Sequence, residues 1–165
     1  MKRLYSPWRS AYIQSFSEKK KPKGCIFCRI KNETTDAENL LVWRGKLCFV
    51  VLNRYPYNSG HLMVVPYKHT SHFSKLTSDE HGEIMKATGR CMSALEKISH
   101  PHGFNFGANL GKTAGAGIDK HIHFHIVPRW NGDTNFMPTI AETKLVSEEI
   151  RSAWKLLNKE FRNFK

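Results

Sequence analysis

His121-Ile-His-Phe-His-Ile-Val127 is the stretch on which the reading of this chain turns. Along a β-strand successive side chains point to opposite faces, so His121, His123 and His125 share one face while Ile122, Phe124 and Ile126 share the other. Residues on one face repeat every ~6.6 Å. The apolar face can seal against a core and leave three imidazoles in a row at a surface. One histidine in a strand is usually structural; three in register ask for a chemical explanation. Three ligands for one zinc would each need a nitrogen at about 2.0–2.1 Å, which three consecutive same-face positions of a straight strand meet poorly. A division of labour, one ring structural and another nucleophilic, fits better. Imidazole, with an ordinary pKa of about 6.5, is largely unprotonated near neutrality and attacks phosphorus well.

Working outward, Pro128 closes the strand, and a glycine-rich turn, Gly111 to Gly117, precedes it. Gly115, Ala116 and Gly117 put little bulk between backbone N–H groups and a ligand, the arrangement that cradles phosphate oxygens. Residues 104–109 read as another strand. Thr77 and Glu80 have capping-box spacing, and Ile84, Ala87, Cys91, Leu95 and Ile98 recur at helical intervals up to a stop near His100-Pro101. His61 to Val65, halted by Pro66, reads as a buried strand after the loop Arg54 to Gly60. Residues 39–43 and 46–52 read as a hairpin about Arg44-Gly45. Val146, Ile150, Trp154, Leu157 and Phe161 make the stripe of an amphipathic C-terminal helix. The expected class is α+β, with a mostly antiparallel sheet of about five strands, a long central helix and a C-terminal helix.

The 165 residues fit one domain. We divide it into an N-terminal arm at 1–24, a cysteine knuckle at 25–28, a core at 39–130 and a helix at 145–165. Hydrophobic residues at 40% and charged residues at 24% are ordinary globular values, with no run long enough to span a membrane and no signal-peptide pattern. A soluble, cytoplasmic protein is expected. The net charge of +12 favours anionic partners without choosing among phosphorylated small molecules, nucleic acid and acidic membranes. Much of it sits in Lys19 to Lys23 and along the last segment, where a solvated face is the plain reading.

Of four cysteines, Cys48 and Cys91 stand in apolar surroundings and read as buried small hydrophobes. Cys25 and Cys28 form a C-x-x-C with three readings: a redox pair, two more buried hydrophobes, or half of a zinc site. The redox pair would need a βαβ context and a helix opening at the first cysteine, neither of which the lysine-rich approach clearly offers. A zinc site needs two further ligands, for which histidines are available.

The pattern HIHFHIV followed by Pro128-Arg129-Trp130 resembles the signature of the histidine triad (HIT) nucleotide-binding family. The resemblance continues through LNRYPYNSGHLMVVPYKH (Leu52 to His69) and FNFGANLGKTAGAG (Phe104 to Gly117). It spans nearly the whole chain, from Ser6-Pro-Trp-Arg9 to the final helix. It is closest to the branch that acts on diadenosine polyphosphates as phosphorylase or hydrolase, and implies a HIT-like fold. It makes His123 the residue that forms a covalent nucleotidyl-histidine, with His125 steadying charge on phosphate oxygens and the leaving group. Asn53 falls at the ribose-binding position, His61 at that of the histidine beside the triad, and Asn109 at a phosphate-side asparagine. For zinc it names Cys25, Cys28, His69 and His121, a closed structural site; His72 is a rival ligand by spacing. Relatives carry glutamine or serine where this chain has Gly117, so the acceptor, phosphate or water, stays open.

The resemblance implies cleavage of diadenosine tetraphosphate. Magnesium is allowed for as a companion of the polyphosphate but is not required at phosphorus. A nucleoside 5′-phosphoramidate hydrolase would use the same nucleophile. A basic zinc-containing nucleic-acid-binding module is disfavoured, because the basic residues are scattered and no C2H2 helix follows the cysteines at the usual spacing. Relatives pair as homodimers through the central helix and a neighbouring strand, so a homodimer is expected here.

Overall fold

The structure, a computed structural model, describes residues 24–133 and 149–164. The N-terminal arm through residue 23 and Val146 lie outside the described residues. Five strands form one antiparallel sheet in the order β1-β2-β3-β5-β4: β1 (Leu41–Arg44), β2 (Cys48–Leu52), β3 (Leu62–Pro66), β4 (Gly103–Gly107) and β5 (Phe124–Arg129). Helices are α1 (Ile26–Asn32), α2 (Asp36–Asn39), α3 (Ser78–Ser99) and α4 (Ile150–Arg162).

The runs CFVVL and LMVVP form β2 and β3, and every residue of both is buried. Such uninterrupted apolar runs suit central strands covered on both faces. Helix α3 packs across β2, β3 and β5, burying Ile84, Ala87, Cys91 and Leu95. Its N-terminus carries the expected capping box. Thr77 Oγ1 accepts from the Glu80 N–H at 3.2 Å, and a Glu80 carboxylate oxygen accepts from the Thr77 N–H at 2.7 Å. Helix α4 buries Ala153, Leu157 and Phe161. Trp154 Nε1–H donates to the Leu41 carbonyl at 2.8 Å and Asn158 Nδ2–H to that of Val42 at 3.0 Å. Those side chains engage the backbone of an edge strand that would otherwise be open to pairing.

The hairpin and the last strand depart from the sequence reading. Asn39 ends α2 rather than opening β1, because Leu40 takes a left-handed conformation (φ 59°) that turns the chain into the sheet. β4 stops at Gly107, two residues short of the expected end. β5 begins at Phe124, three residues after His121, and runs through Pro128 to Arg129 instead of closing before it. The β3 ladder reaches only Ile126, so on that side Pro128 has no strand partner and its missing N–H costs no bond. At the other end Ile122 N–H donates to the Thr70 carbonyl at 2.7 Å, off the sheet. A short helix, α1, was not foreseen and sets the geometry of the site.

Candidate active site

The three triad histidines do not lie in a row at a surface. His121 is fully buried, His123 is 6% exposed and only His125 is partly open. The reason is α1, which opens at Cys25 and places Phe27 over the row. The Phe27 ring lies 5.4 Å from the His121 ring, 5.0 Å from that of His123 and 6.4 Å from that of Phe49, centroid to centroid. So a helix does open at the first cysteine, contrary to the sequence reading. Every strand pairing among the described residues is antiparallel, so they hold none of the parallel pairing that the βαβ setting of a redox pair would bring.

Each imidazole has a distinct set of partners. His121 Nε2–H donates to the Pro66 carbonyl at 2.9 Å, which leaves the Nδ1 lone pair facing Cys25 Sγ at 3.3 Å, Cys28 Sγ at 3.7 Å and His69 Nδ1 at 3.2 Å. His69 Nδ1 lies 3.2 Å from Cys28 Sγ. These four ligand atoms lie within 4.8 Å of one another. A tetrahedral zinc, with nitrogen at about 2.0–2.1 Å and sulfur at about 2.3 Å, holds its ligand atoms roughly 3.3–3.8 Å apart. The donor set therefore fits zinc in number, type and spacing, and the Pro66 carbonyl supplies the outer partner that orients a metal-binding histidine. His72, the rival ligand, is exposed and stands outside the cluster. Burial and the neighbouring Cys25 push the Cys28 thiol up, a cost that a bound cation would reverse.

His123 is the next ring along. Its Nδ1–H donates to the His121 carbonyl at 2.9 Å, so Nε2 carries the lone pair. Burial lowers its pKa, which keeps that lone pair unprotonated at neutral pH. The His125 ring stands 4.8 Å away, nearly perpendicular. His125 Nδ1 is 2.9 Å from His61 Nε2, whereas His125 Nε2 is buried without a partner among the described residues. Burial holds His61 down at about 3 and His125 at about 4, so both rings are neutral. His61 Nδ1 accepts from the Tyr57 backbone N–H at 3.1 Å and faces Asn53 Nδ2 at 3.2 Å.

Beyond His125 opens a cavity of about 390 Å³, bordered by Tyr57, Phe106, Asn109 and Arg129. The Arg129 guanidinium is held by Asp133 through two hydrogen bonds, at 2.6 and 2.8 Å, and by Asn105 at 2.6 Å. Asn58 ties the loop before β3 to the same place by donating to Asp133 at 2.7 Å and to the Pro128 carbonyl at 2.9 Å. In the glycine-rich turn, the N–H groups of Gly115 and Ala116 bond to the carbonyls of Lys112 and Gly111. An anion would have to compete for them. Around Gly117 the space is open: a Cβ there would meet nothing within 4 Å.

A sequence model of the HIT domain matches residues 34–132. The chain belongs to the HIT domain family. Among curated HIT relatives, it is 41% identical over 166 aligned residues to an AP-4-A phosphorylase of Mycobacterium tuberculosis, covering 98% of this chain and 85% of that one. It is 28% identical to the adenosine 5′-monophosphoramidase hnt1 of Schizosaccharomyces pombe, over 78% of this chain and 97% of that one. Among solved HIT structures, a zinc-bound histidine triad family protein from Mycobacterium smegmatis superposes with a TM-score of 0.68 at 25% identity, covering 84% of this chain and 94% of the other.

Sequence reasoning brought His61, His123 and His125 to one place and paired the cysteines with His69 and His121. It missed Phe27, although that residue lies inside the C-x-x-C. It also missed the Tyr57 N–H, since no side-chain pattern reveals a backbone donor. No helix among the described residues is long and apolar enough to cross a membrane.

Proposed function

We propose that this chain is a nucleotidyl-transferring enzyme that cleaves diadenosine tetraphosphate through His123. The observation that carries the reading is the pairing of an Nε2 lone pair on His123 with a partnerless nitrogen on the adjoining His125. In the reaction His123 Nε2 bonds to an α-phosphorus, the bond to the bridging oxygen breaks, and ATP departs with the electron pair. The phosphorylated ring is cationic, and the His121 carbonyl that accepts from its Nδ1–H steadies it. Phosphate then displaces the histidine to give ADP, or water does so to give AMP. His125, Asn109 and the turn at Gly115, Ala116 and Gly117 are assigned to the phosphate oxygens, and Asn53 to the ribose. The cavity beyond His125 has room for a leaving nucleotide, and the likeness to an AP-4-A phosphorylase supports this substrate.

Structural zinc held by Cys25, Cys28, His69 and His121 belongs to the same reading, supported by the donor set and by the zinc-bound relative. The metal would fix α1, and with it Phe27, against the catalytic strand. Metal analysis should find about one zinc per chain, lost in Cys25→Ser; a folded, metal-free wild type would remove zinc from the account. We place the enzyme in the reducing cytoplasm, in keeping with its free cysteines. It works there as a homodimer through α3 and β4, on which Met85 and Phe106 are exposed.

The deciding experiment incubates the enzyme with diadenosine tetraphosphate, with and without inorganic phosphate, and separates the products. ADP plus ATP only with phosphate makes it a phosphorylase; AMP plus ATP regardless makes it a hydrolase. The phosphoramidase relative favours one second reading, hydrolysis of a nucleoside phosphoramidate by the same nucleophile. Turnover of adenosine 5′-phosphoramidate, with none of the dinucleotide, would establish it instead.

A further inference from the structure

Two backbone N–H groups of the loop between β2 and β3 determine the proton positions of a chain of side chains that ends in the active site. The Tyr55 N–H donates to Asn53 Oδ1 at 2.9 Å. A backbone N–H can only donate, so the atom facing it is the amide oxygen, and the atom facing His61 Nδ1 at 3.2 Å is the NH2 group. The Tyr57 N–H, one residue beyond Pro56, donates to the same Nδ1 at 3.1 Å. Two donors thus converge on His61 Nδ1, which must carry a lone pair.

Because His61 is buried and neutral, its single ring proton sits on Nε2, pointing at His125 Nδ1, 2.9 Å away. His125 Nδ1 must then accept. His125 is neutral as well, so its own proton sits on Nε2, the buried nitrogen without a partner. A buried N–H left without an acceptor carries a desolvation penalty that an arriving acceptor removes.

We infer that Asn53 is a positioning residue: with the Tyr57 N–H it locks His61, and through it His125, in the Nε2–H tautomer, making His125 a standing hydrogen-bond donor to the leaving oxygen. This deepens the proposed function and rests on it for the identity of that oxygen. Asn53 keeps one Nδ2 hydrogen, so a ribose contact and this role are compatible. The chemistry has a limit built in. The neutral pair can donate a hydrogen bond but has no spare proton to release, because full transfer would leave an imidazolate. As the bond from His123 to phosphorus forms and the phosphorus–oxygen bond breaks, the departing oxygen keeps the electron pair and receives a hydrogen bond, not a proton. Phosphate leaving groups, stable as anions near neutrality, suit such a donor.

Long-range 1H–15N spectra of the wild-type protein read the tautomers without any substitution. The expected result is protonation at Nε2 of both His61 and His125. A proton on Nδ1 of either ring overturns the inference. The kinetic arm uses Asn53→Asp, whose carboxylate draws a proton onto His61 Nδ1 against the remaining Tyr57 N–H and so reverses the chain, leaving His125 Nε2 as a bare lone pair. The same spectra on this variant check the reversal; Nε2 protonation retained in both rings would assign the lock to the Tyr57 N–H alone and overturn the role of Asn53. Turnover of diadenosine tetraphosphate should fall at least fivefold more than turnover of the 2,4-dinitrophenyl ester of AMP, whose leaving group is a much weaker base than the terminal phosphate of ATP and needs less assistance. A smaller gap between the two losses means that Asn53 acts only on binding or folding, and the positioning role is wrong. Failure of the function itself looks different: wild-type enzyme would form no nucleotidyl-histidine from either substrate, whatever the spectra report about the tautomers.

Discussion

At the scale of single residues, His123 is distinguished from its neighbours by what its two nitrogens do. Nδ1 is committed to the His121 carbonyl, and the ring is too buried to hold a proton near neutrality. Replacing it with alanine removes the only atom proposed to bond to phosphorus. Turnover should drop on the order of 10⁴-fold or more, while the far-UV circular dichroism spectrum and zinc content stay those of wild type. Activity within tenfold of wild type would reassign the nucleophile. The spacing of three histidines made the row legible in the sequence by strand alternation, although β5 begins only at Phe124; that His123 is the one to attack came from the resemblance. The role of His61 was legible only through resemblance. The hydrogen bond to His125 joins residues 64 positions apart and leaves no periodic trace.

At the scale of elements, α1 shows what sequence periodicity leaves out. Its seven residues bury only Phe27 and Ile30, too few to make a helical stripe, and no side chain caps its N-terminus. Much of its definition comes from β1. The Arg44 guanidinium donates to the Lys31 carbonyl at 2.9 Å, to that of Ile30 at 3.3 Å and to that of Glu33 at 2.6 Å, while pairing with Asp36 at 2.7 Å. These carbonyls lie at the C-terminal end of α1, where intrahelical donors run out, and one planar fork gathers them. The sequence reading used Arg44 as a turn residue and had no reason to send its side chain back to residues 30–36. Arg44→Ala should loosen α1, cost about 2 kcal/mol of stability and weaken zinc binding roughly tenfold. Arg44→Lys should recover little of either, since an ammonium cannot span several carbonyls. Zinc titration with a competing chelator, alongside urea unfolding, measures both effects; unchanged affinity in the alanine variant would detach the knuckle from this clamp.

At the scale of the whole molecule, the five-strand sheet and the long capped helix were legible because each has a local signature, whereas Asn53, His61, His69 and Asn109 were reached only through resemblance. The sequence did not carry the depth at which the site sits. Burial of the triad depends on a helix more than ninety residues upstream, and that depth has a thermodynamic consequence. His61 and His125 are neutral in the fold, with pKa values held near 3 and 4 by burial, whereas in the unfolded chain a histidine titrates near 6.5. Below about pH 6.5 the unfolded chain therefore binds more protons than the folded one, so stability must fall as pH falls. It is fully present above that point and lost progressively down to the folded-state values of about 4 and about 3. The urea midpoint should accordingly be flat from pH 8 to 7 and decline steadily below 6.5, with a shallower slope in His125→Asn. Protonation of zinc ligands would produce a decline in the same direction, so the series has to be repeated in Cys25→Ser, which carries no zinc site. A decline that persists in that variant belongs to the buried imidazoles; one that disappears belongs to the metal site, and the neutral His61–His125 pair would then contribute nothing measurable to acid sensitivity.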